Sequence, residues 1–232
     1  MPNPNALEYY NLGTMLTQEG EFGKAIEYFD KAIELDPDFL NAYNNKGLAF
    51  VKLNSLSKAQ ECFDHVLAKD PNNLMALQNL GALMLQTKNF DKALEYYDRY
   101  VSLEANNADV WNDRGNAIVG QVFGSVVTTN SINKYRDAYE SYNNALRLNP
   151  QKHEAKKWAC ISLNQIGKHV EAVNCFAEYL KTHAADDQTL FYYAFSLHRL
   201  KKYDEALKIY DETIKLSESE ASKKEINKVL NN

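Results

Sequence analysis

The chain has 232 residues, of which 45% are hydrophobic and 25% charged, a balance that excludes wholesale disorder. Its formal charge of −5 runs against the basic surplus of a nucleic-acid binder. No run approaches the roughly 20 apolar residues that cross a bilayer, so membrane insertion is not expected either.

The first helix shows in Tyr9, Leu12, Gly13 and Leu16, spaced i, i+3, i+4, i+7 on one stripe. A short polar turn follows over residues 19–22. The second helix shows in Ala25, Phe29 and Ala32, and Leu35-Asp36-Pro37 ends it, because proline cannot continue a helix. This pair then recurs. Gly13, Gly47, Gly81 and Gly115 stand 34 residues apart. The series Ala25, Ala59, Ala93, Ala138, Ala172 and Ala206 keeps that spacing except for one step of 45. So does the aromatic series Phe29, Phe63, Tyr97, Tyr142, Phe176 and Tyr210. Small residues at Gly13 and Ala25 let paired helices approach closely, and the aromatic fills the seam beside them. We therefore expect all six alanines to be buried.

The spacing divides the chain into repeats at 6–39, 40–73, 74–107, 108–152, 153–186 and 187–220. The fourth carries 11 extra residues, near 122–133. Their β-branched and polar character, from Val122 through Asn130, predicts a loop joining two helices. Such a loop is a tolerated surface insertion or a contact element beside a binding surface. On the first reading, deleting 122–133 leaves the fold intact. The last stretch, 221–232, places Ile226, Val229 and Leu230 on one face and predicts a capping helix.

The pattern resembles the tetratricopeptide repeat, a 34-residue unit with an aromatic, Leu-Gly, Tyr, Ala, Phe, Ala and Pro at set places. The first repeat supplies Tyr9, Leu12-Gly13, Ala25, Phe29, Ala32 and Pro37. Later repeats depart from it: Lys46 replaces Leu, Ala105 replaces Pro, Lys156 replaces the aromatic and Cys160 replaces Gly. The resemblance implies an all-α fold, a right-handed superhelical solenoid of six antiparallel helix pairs closed by the capping helix, in one domain over 1–232. It also implies a non-catalytic scaffold, whose first helices line a concave face that holds a protein or peptide segment. Self-association through the end repeats is the alternative.

On that face the resemblance places Asn11, Asn45, Asn79, Asp113, Trp158 and Tyr192, two positions before each Gly place. Asn112 stands beside this row, and Asn116 and Phe195 stand just after the Gly place. An asparagine amide can donate to a peptide carbonyl and accept from a peptide N–H, so a row of them suits an extended backbone. The aromatics Trp158, Phe191, Tyr192 and Phe195 would give an apolar anchor. Asp109, Asp113 and Glu154 add acid, which favours a partner carrying basic residues.

No catalytic or metal constellation is expected, and no cofactor. His65, His153, His169, His183 and His198 are scattered. Cys62 and His65 lie three apart on one helix with no second pair to complete a site. Residues 1–5 are polar and proline-bearing, unlike a secretory signal. With three scattered cysteines, Cys62, Cys160 and Cys175, this points to reduced thiols in the cytoplasm.

Overall fold

The computed structural model describes residues 3–124 and 128–216. Among these residues every regular element is a helix, twelve in all. They are α1 (Pro4–Gln18), α2 (Phe22–Leu35), α3 (Leu40–Lys52), α4 (Leu56–Lys69), α5 (Leu74–Gln86), α6 (Phe90–Leu103) and α7 (Ala108–Gly120), followed by α8 (Thr129–Leu148), α9 (His153–Gln165), α10 (His169–Tyr179), α11 (Asp187–Arg199) and α12 (Tyr203–Leu216). None is long and apolar enough to cross a membrane. The capping helix expected over 221–232 lies outside the described residues. The helices group into two compact units, Met1–Ala117 and Ile118–Asn232.

In the first unit the repeated glycines and aromatics meet as their spacing requires. A Cβ on Gly13 would lie 2.7 Å from the Phe29 ring, on Gly47 2.5 Å from Phe63, and on Gly81 2.6 Å from Tyr97. Only a residue without a side chain lets the two helices of each hairpin come this close. The rings of Phe29, Phe63 and Tyr97 are fully buried there, as are Ala25, Ala59 and Ala93. α5 is apolar on most of its circumference, with Ala76, Leu77, Leu80, Leu83 and Met84 buried, because it is packed on both sides.

α2 and α4 end the same way. The Asp36 and Asp70 side chains accept from the backbone N–H two residues on, at 3.3 and 3.2 Å, which folds the chain away from the helix ahead of the next repeat. The turn between the helices of a pair also recurs. Gly20, Asn54 and Lys88 take positive φ in the first unit, and Gly167 and Lys201 do so in the second. At Gly20 and Gly167 the residue type suits that conformation without a Cβ penalty.

In the second unit Ala138, Ala172 and Ala206 are again buried, beside the buried rings of Tyr142, Phe176 and Tyr210. The central helix is α9, with Ala155, Ala159, Cys160, Ile161 and Leu163 all inside. Two expectations need correction here. The three cysteines are not all reduced thiols: Cys160 and Cys175 form a disulfide that ties α9 to α10, with Cα atoms 5.4 Å apart. Cys62 alone is free among the described residues, and burial pushes its thiol up to about 11.

The insertion is also not simply a loop. Its second half is helical and lengthens α8 at its start, so α8 has 20 residues where α2, α4 and α6 have 14. Thr128 caps this extension, accepting from the Ser131 N–H at 3.1 Å, while the Ser131 hydroxyl accepts from the Thr128 N–H at 2.7 Å. Val122 and Ser131 are buried. Residues 125–127 lie outside the described residues.

Candidate functional site

The expected asparagine row lies in the first unit and behaves unevenly. Asn11 on α1 is exposed. Asn45 on α3 is half-buried and directs its amide at its own scaffold, donating to the Tyr10 hydroxyl at 3.0 Å and toward Thr14 Oγ1 at 3.5 Å. Asn79 on α5 is half-buried and makes no side-chain hydrogen bond among the described residues. Asn44, beside the row, is buried and donates to Asn73 at 3.4 Å, so it belongs to the framework.

On α7 the structure brings Asn112, Asp113 and Asn116 together. The Asp113 carboxylate accepts from Asn112 Nδ2 at 3.0 Å and from Asn116 Nδ2 at 3.4 Å. Two amide donors expected to face a ligand therefore engage a carboxylate of their own helix. Cys62 and His65 do not form a ligand pair either: the His65 ring stacks on Tyr43 at 4.0 Å, and the Cys62 thiol is held protonated by burial.

The second unit holds the more developed site. A cleft of about 520 Å³ opens where the start of α8, the end of α9 and α11 converge. Its apolar wall comes from Ile132 and Tyr135 on α8, Ile166 after α9, and Phe191, Tyr192 and Phe195 on α11. Phe191 and Phe195 stack with centroids 6.3 Å apart, and Tyr192 meets Phe191 edge-on at 5.3 Å. Burial pushes the Tyr135 phenol up to about 12, so it stays protonated.

α11 is fixed in place by Asn164 and by Asp186. Asn164, buried at the end of α9, donates from Nδ2 to the Tyr192 carbonyl at 3.1 Å and to Ser196 Oγ at 2.7 Å. Asp186 caps the helix, accepting from the Thr189 N–H at 2.8 Å, and pairs with Lys157 of α9 at 3.0 Å. Burial pushes the Asp186 carboxyl up, but the Thr189 N–H, Lys157 and the Thr189 hydroxyl outweigh that and hold it below its usual range. The aromatic wall therefore stands on a preorganised helix.

The polar edge of the cleft is His169, first residue of α10, and Arg199, last of α11. His169 stands edge-on to Phe195 at 6.2 Å. Its Nδ1 is buried without a hydrogen-bond partner, and burial, then the Arg199 charge, hold it below its ordinary pKa. No carboxylate is among the described lining residues.

Of the expected anchors, Tyr192 and Phe195 line this cleft, whereas Trp158 does not. Trp158 is half-buried against the core of the second unit and meets Phe123 edge-on at 5.4 Å. Tyr135, Ile132, His169 and Arg199 escape the sequence reading. Phe191, Phe195 and Arg199 follow one another at i, i+4, i+8, a stripe that could have indicated Arg199. The α8 residues could not be placed without knowing that the insertion is helical.

Comparison with known proteins bears on the fold. Residues 6–39 and 44–110 match the tetratricopeptide repeat, and residues 129–229 match the N-terminal TPR repeats region of Psidin. An uncharacterized protein of Methanocaldococcus jannaschii is 49% identical over 41 residues, covering 18% of this chain and 48% of that protein. A UDP-N-acetylglucosamine–peptide N-acetylglucosaminyltransferase of Giardia intestinalis is 41% identical over 44 residues, covering 19% of this chain and 3% of the enzyme. The chain thus matches about half the length of the first relative and a small part of the second. Among solved structures, YrrB, described as a TPR protein with an unusual peptide-binding site, superposes with a TM-score of 0.74 at 18% identity, covering 86% of this chain and 97% of YrrB. Pseudomonas aeruginosa pilF gives 0.73 at 19% identity, covering 96% of each chain. MamA from Desulfovibrio magneticus RS-1 gives 0.67 at 20% identity, covering 78% of this chain and 96% of MamA. These likenesses carry the fold.

Proposed function

Because the chain belongs to the tetratricopeptide repeat family, we propose that it is a non-catalytic protein-interaction scaffold that holds an extended partner segment, with an apolar anchor in the α8–α9–α11 cleft. The observation that carries this reading is the cleft itself. Three aromatic rings of α11 stand together on a helix pinned by Asn164 and Asp186, and they face open space of about 520 Å³. Concave apolar surface with a few fixed polar groups is where ligands bind, and aromatic anchors dominate interface energetics. The peptide-binding site described for YrrB supports a peptide as the ligand class.

The proposal gives the chain no cofactor, no nucleic-acid partner and no membrane insertion. Selection of a displayed peptide library on the full chain tests it. Peptides enriched on the wild type should be lost on Phe195→Glu, with the thermal melt confirming a folded variant. Equal enrichment on both would sink the cleft as the binding surface. Light scattering across protein concentration tests self-association through the end repeats. Mass rising with concentration, with no peptide enriched, would favour that alternative. The cytoplasmic placement is part of the proposal, and the Cys160–Cys175 bond runs against it, because disulfides are rare in that compartment. Alkylation of an acid-quenched, denatured lysate tests it: a reduced pair supports the cytoplasm, and a bonded pair overturns that placement in favour of an oxidising compartment.

A further inference from the structure

The one charged residue on the described lining of the cleft is opposite in sign to the acid that the sequence places near the groove. Arg199 is the one fully charged residue among its described lining residues, and it makes no ion pair among the described residues. The chain as a whole carries −5, so a cation with no ion pair among the described residues, at the edge of an aromatic recess, stands out. A guanidinium presents a planar fork of donors that matches one carboxylate bidentately. His169 stands beside it with Nδ1 buried and unpartnered, a polar atom that a ligand could satisfy.

We propose that the cleft recognises an internal acidic motif: an aromatic or large aliphatic side chain seated against Phe191 and Phe195, next to an aspartate or glutamate whose carboxylate pairs with Arg199. The inference rests on the cleft being a peptide site, as proposed above, and adds the chemistry of the peptide. The placement follows from α11. Phe195 and Arg199 are one helical turn apart on one stripe, about 6 Å along the axis. Neighbouring side chains of an extended peptide point to opposite faces, whereas residues two apart share a face about 7 Å apart. The apolar and acidic residues of the motif therefore stand two apart, apolar–x–acidic. A single cation at the rim suits one side-chain carboxylate. No carboxylate is among the described lining residues, so Arg199 sets the sign of this edge.

The test uses blocked, fluorescein-labelled peptides titrated into the full chain by anisotropy. One carries Phe-Gly-Asp in a Gly/Ser background. Others replace Asp by Asn, replace Asp by Lys, or replace Phe by Ala. A fifth ends at Phe-Gly with a free carboxylate. The Asp peptide should bind best, the Asn peptide roughly fivefold weaker, as expected of a partly solvated ion pair. The Lys and Ala peptides should bind weaker still. Arg199→Gln should abolish the difference between the Asp and Asn peptides. If Asp and Asn peptides bind the wild type equally, and Phe195→Glu still removes binding, the acidic motif is wrong and the cleft stands as an apolar site. If the free-carboxylate peptide binds better than the Asp peptide, the carboxylate comes from a chain end and the internal motif is overturned. If no peptide binds at millimolar concentration, or binding survives Phe195→Glu, both the motif and the peptide cleft fall.

Discussion

A Cβ placed on Gly47 would sit 2.5 Å from Cε1 of Phe63, a ring that is fully buried and has no room to turn aside. Gly47→Ala should therefore push α3 from α4 and cost about 1–3 kcal/mol, as overpacking of a close seam does. A denaturant melt of the full chain checks this, and an unchanged midpoint would show that the seam can relax. His169 gives a second single-residue prediction. Burial, then Arg199, hold its folded pKa below the ordinary 6.5. As pH falls, the unfolded chain takes up this proton first, so stability is lost below about 6.5 and is unaffected above it. Its replacement by Gln should flatten the drop in melting temperature between about pH 7 and about pH 5.5. An equal drop in both proteins would remove His169 as its source.

The helix pairs are legible in the sequence because glycine, alanine and aromatic recur in fixed phase, and each has one steric role. The αL turn is legible only after the fact: Gly20, Asn54 and Lys88 share a phase and a positive φ, but two of the three are not glycine. The extension of α8 is hidden, because Thr129, Asn130 and Ile132 are weak helix formers and the cap uses Ser131 where a Glu or Gln would advertise it. Helical structure there changes the expected result of deleting 122–133. The deletion removes buried Val122, buried Ser131 and the Thr128 cap, so the second unit should melt earlier, and Thr128→Ala alone should cost about 1 kcal/mol. An unchanged melt after deletion would restore the tolerated loop. The disulfide is equally hidden. Its partners stand 15 apart, one residue short of the separation of Gly47 and Phe63, so they face each other only once the hairpin register is known. Closing a loop of that length should stabilise the unit by about 3 kcal/mol relative to the reduced chain. Calorimetry with and without reductant measures this, and coincident transitions would show that the bond does not constrain the unfolded chain.

Across the whole molecule, the two units hold different side-chain chemistry. In the first, the Asn45 amide is engaged with Tyr10 at 3.0 Å, and Asp113 accepts from both Asn112 and Asn116. The row of asparagines is readable from spacing, but the bonds that occupy them depend on the packing of α1 against α3 and on neighbours within α7. Amide contacts to a peptide backbone contribute roughly 0.5–1.5 kcal/mol each, whereas a seated aromatic anchor supplies 2 kcal/mol or more. Asn45→Ala with Asn79→Ala should therefore weaken binding of a selected peptide by no more than about tenfold, and Tyr192→Ala with Phe195→Ala by about thirtyfold or more. Asn45→Ala should also lower the melting temperature slightly, since Tyr10 loses its donor. Trp158→Ala should act mainly on stability, because its ring packs on Phe123 and the core. Anisotropy titrations beside thermal melts separate these effects. If the asparagine pair proved costlier for binding than the aromatic pair at equal stability, the site would have to be sought on the first unit.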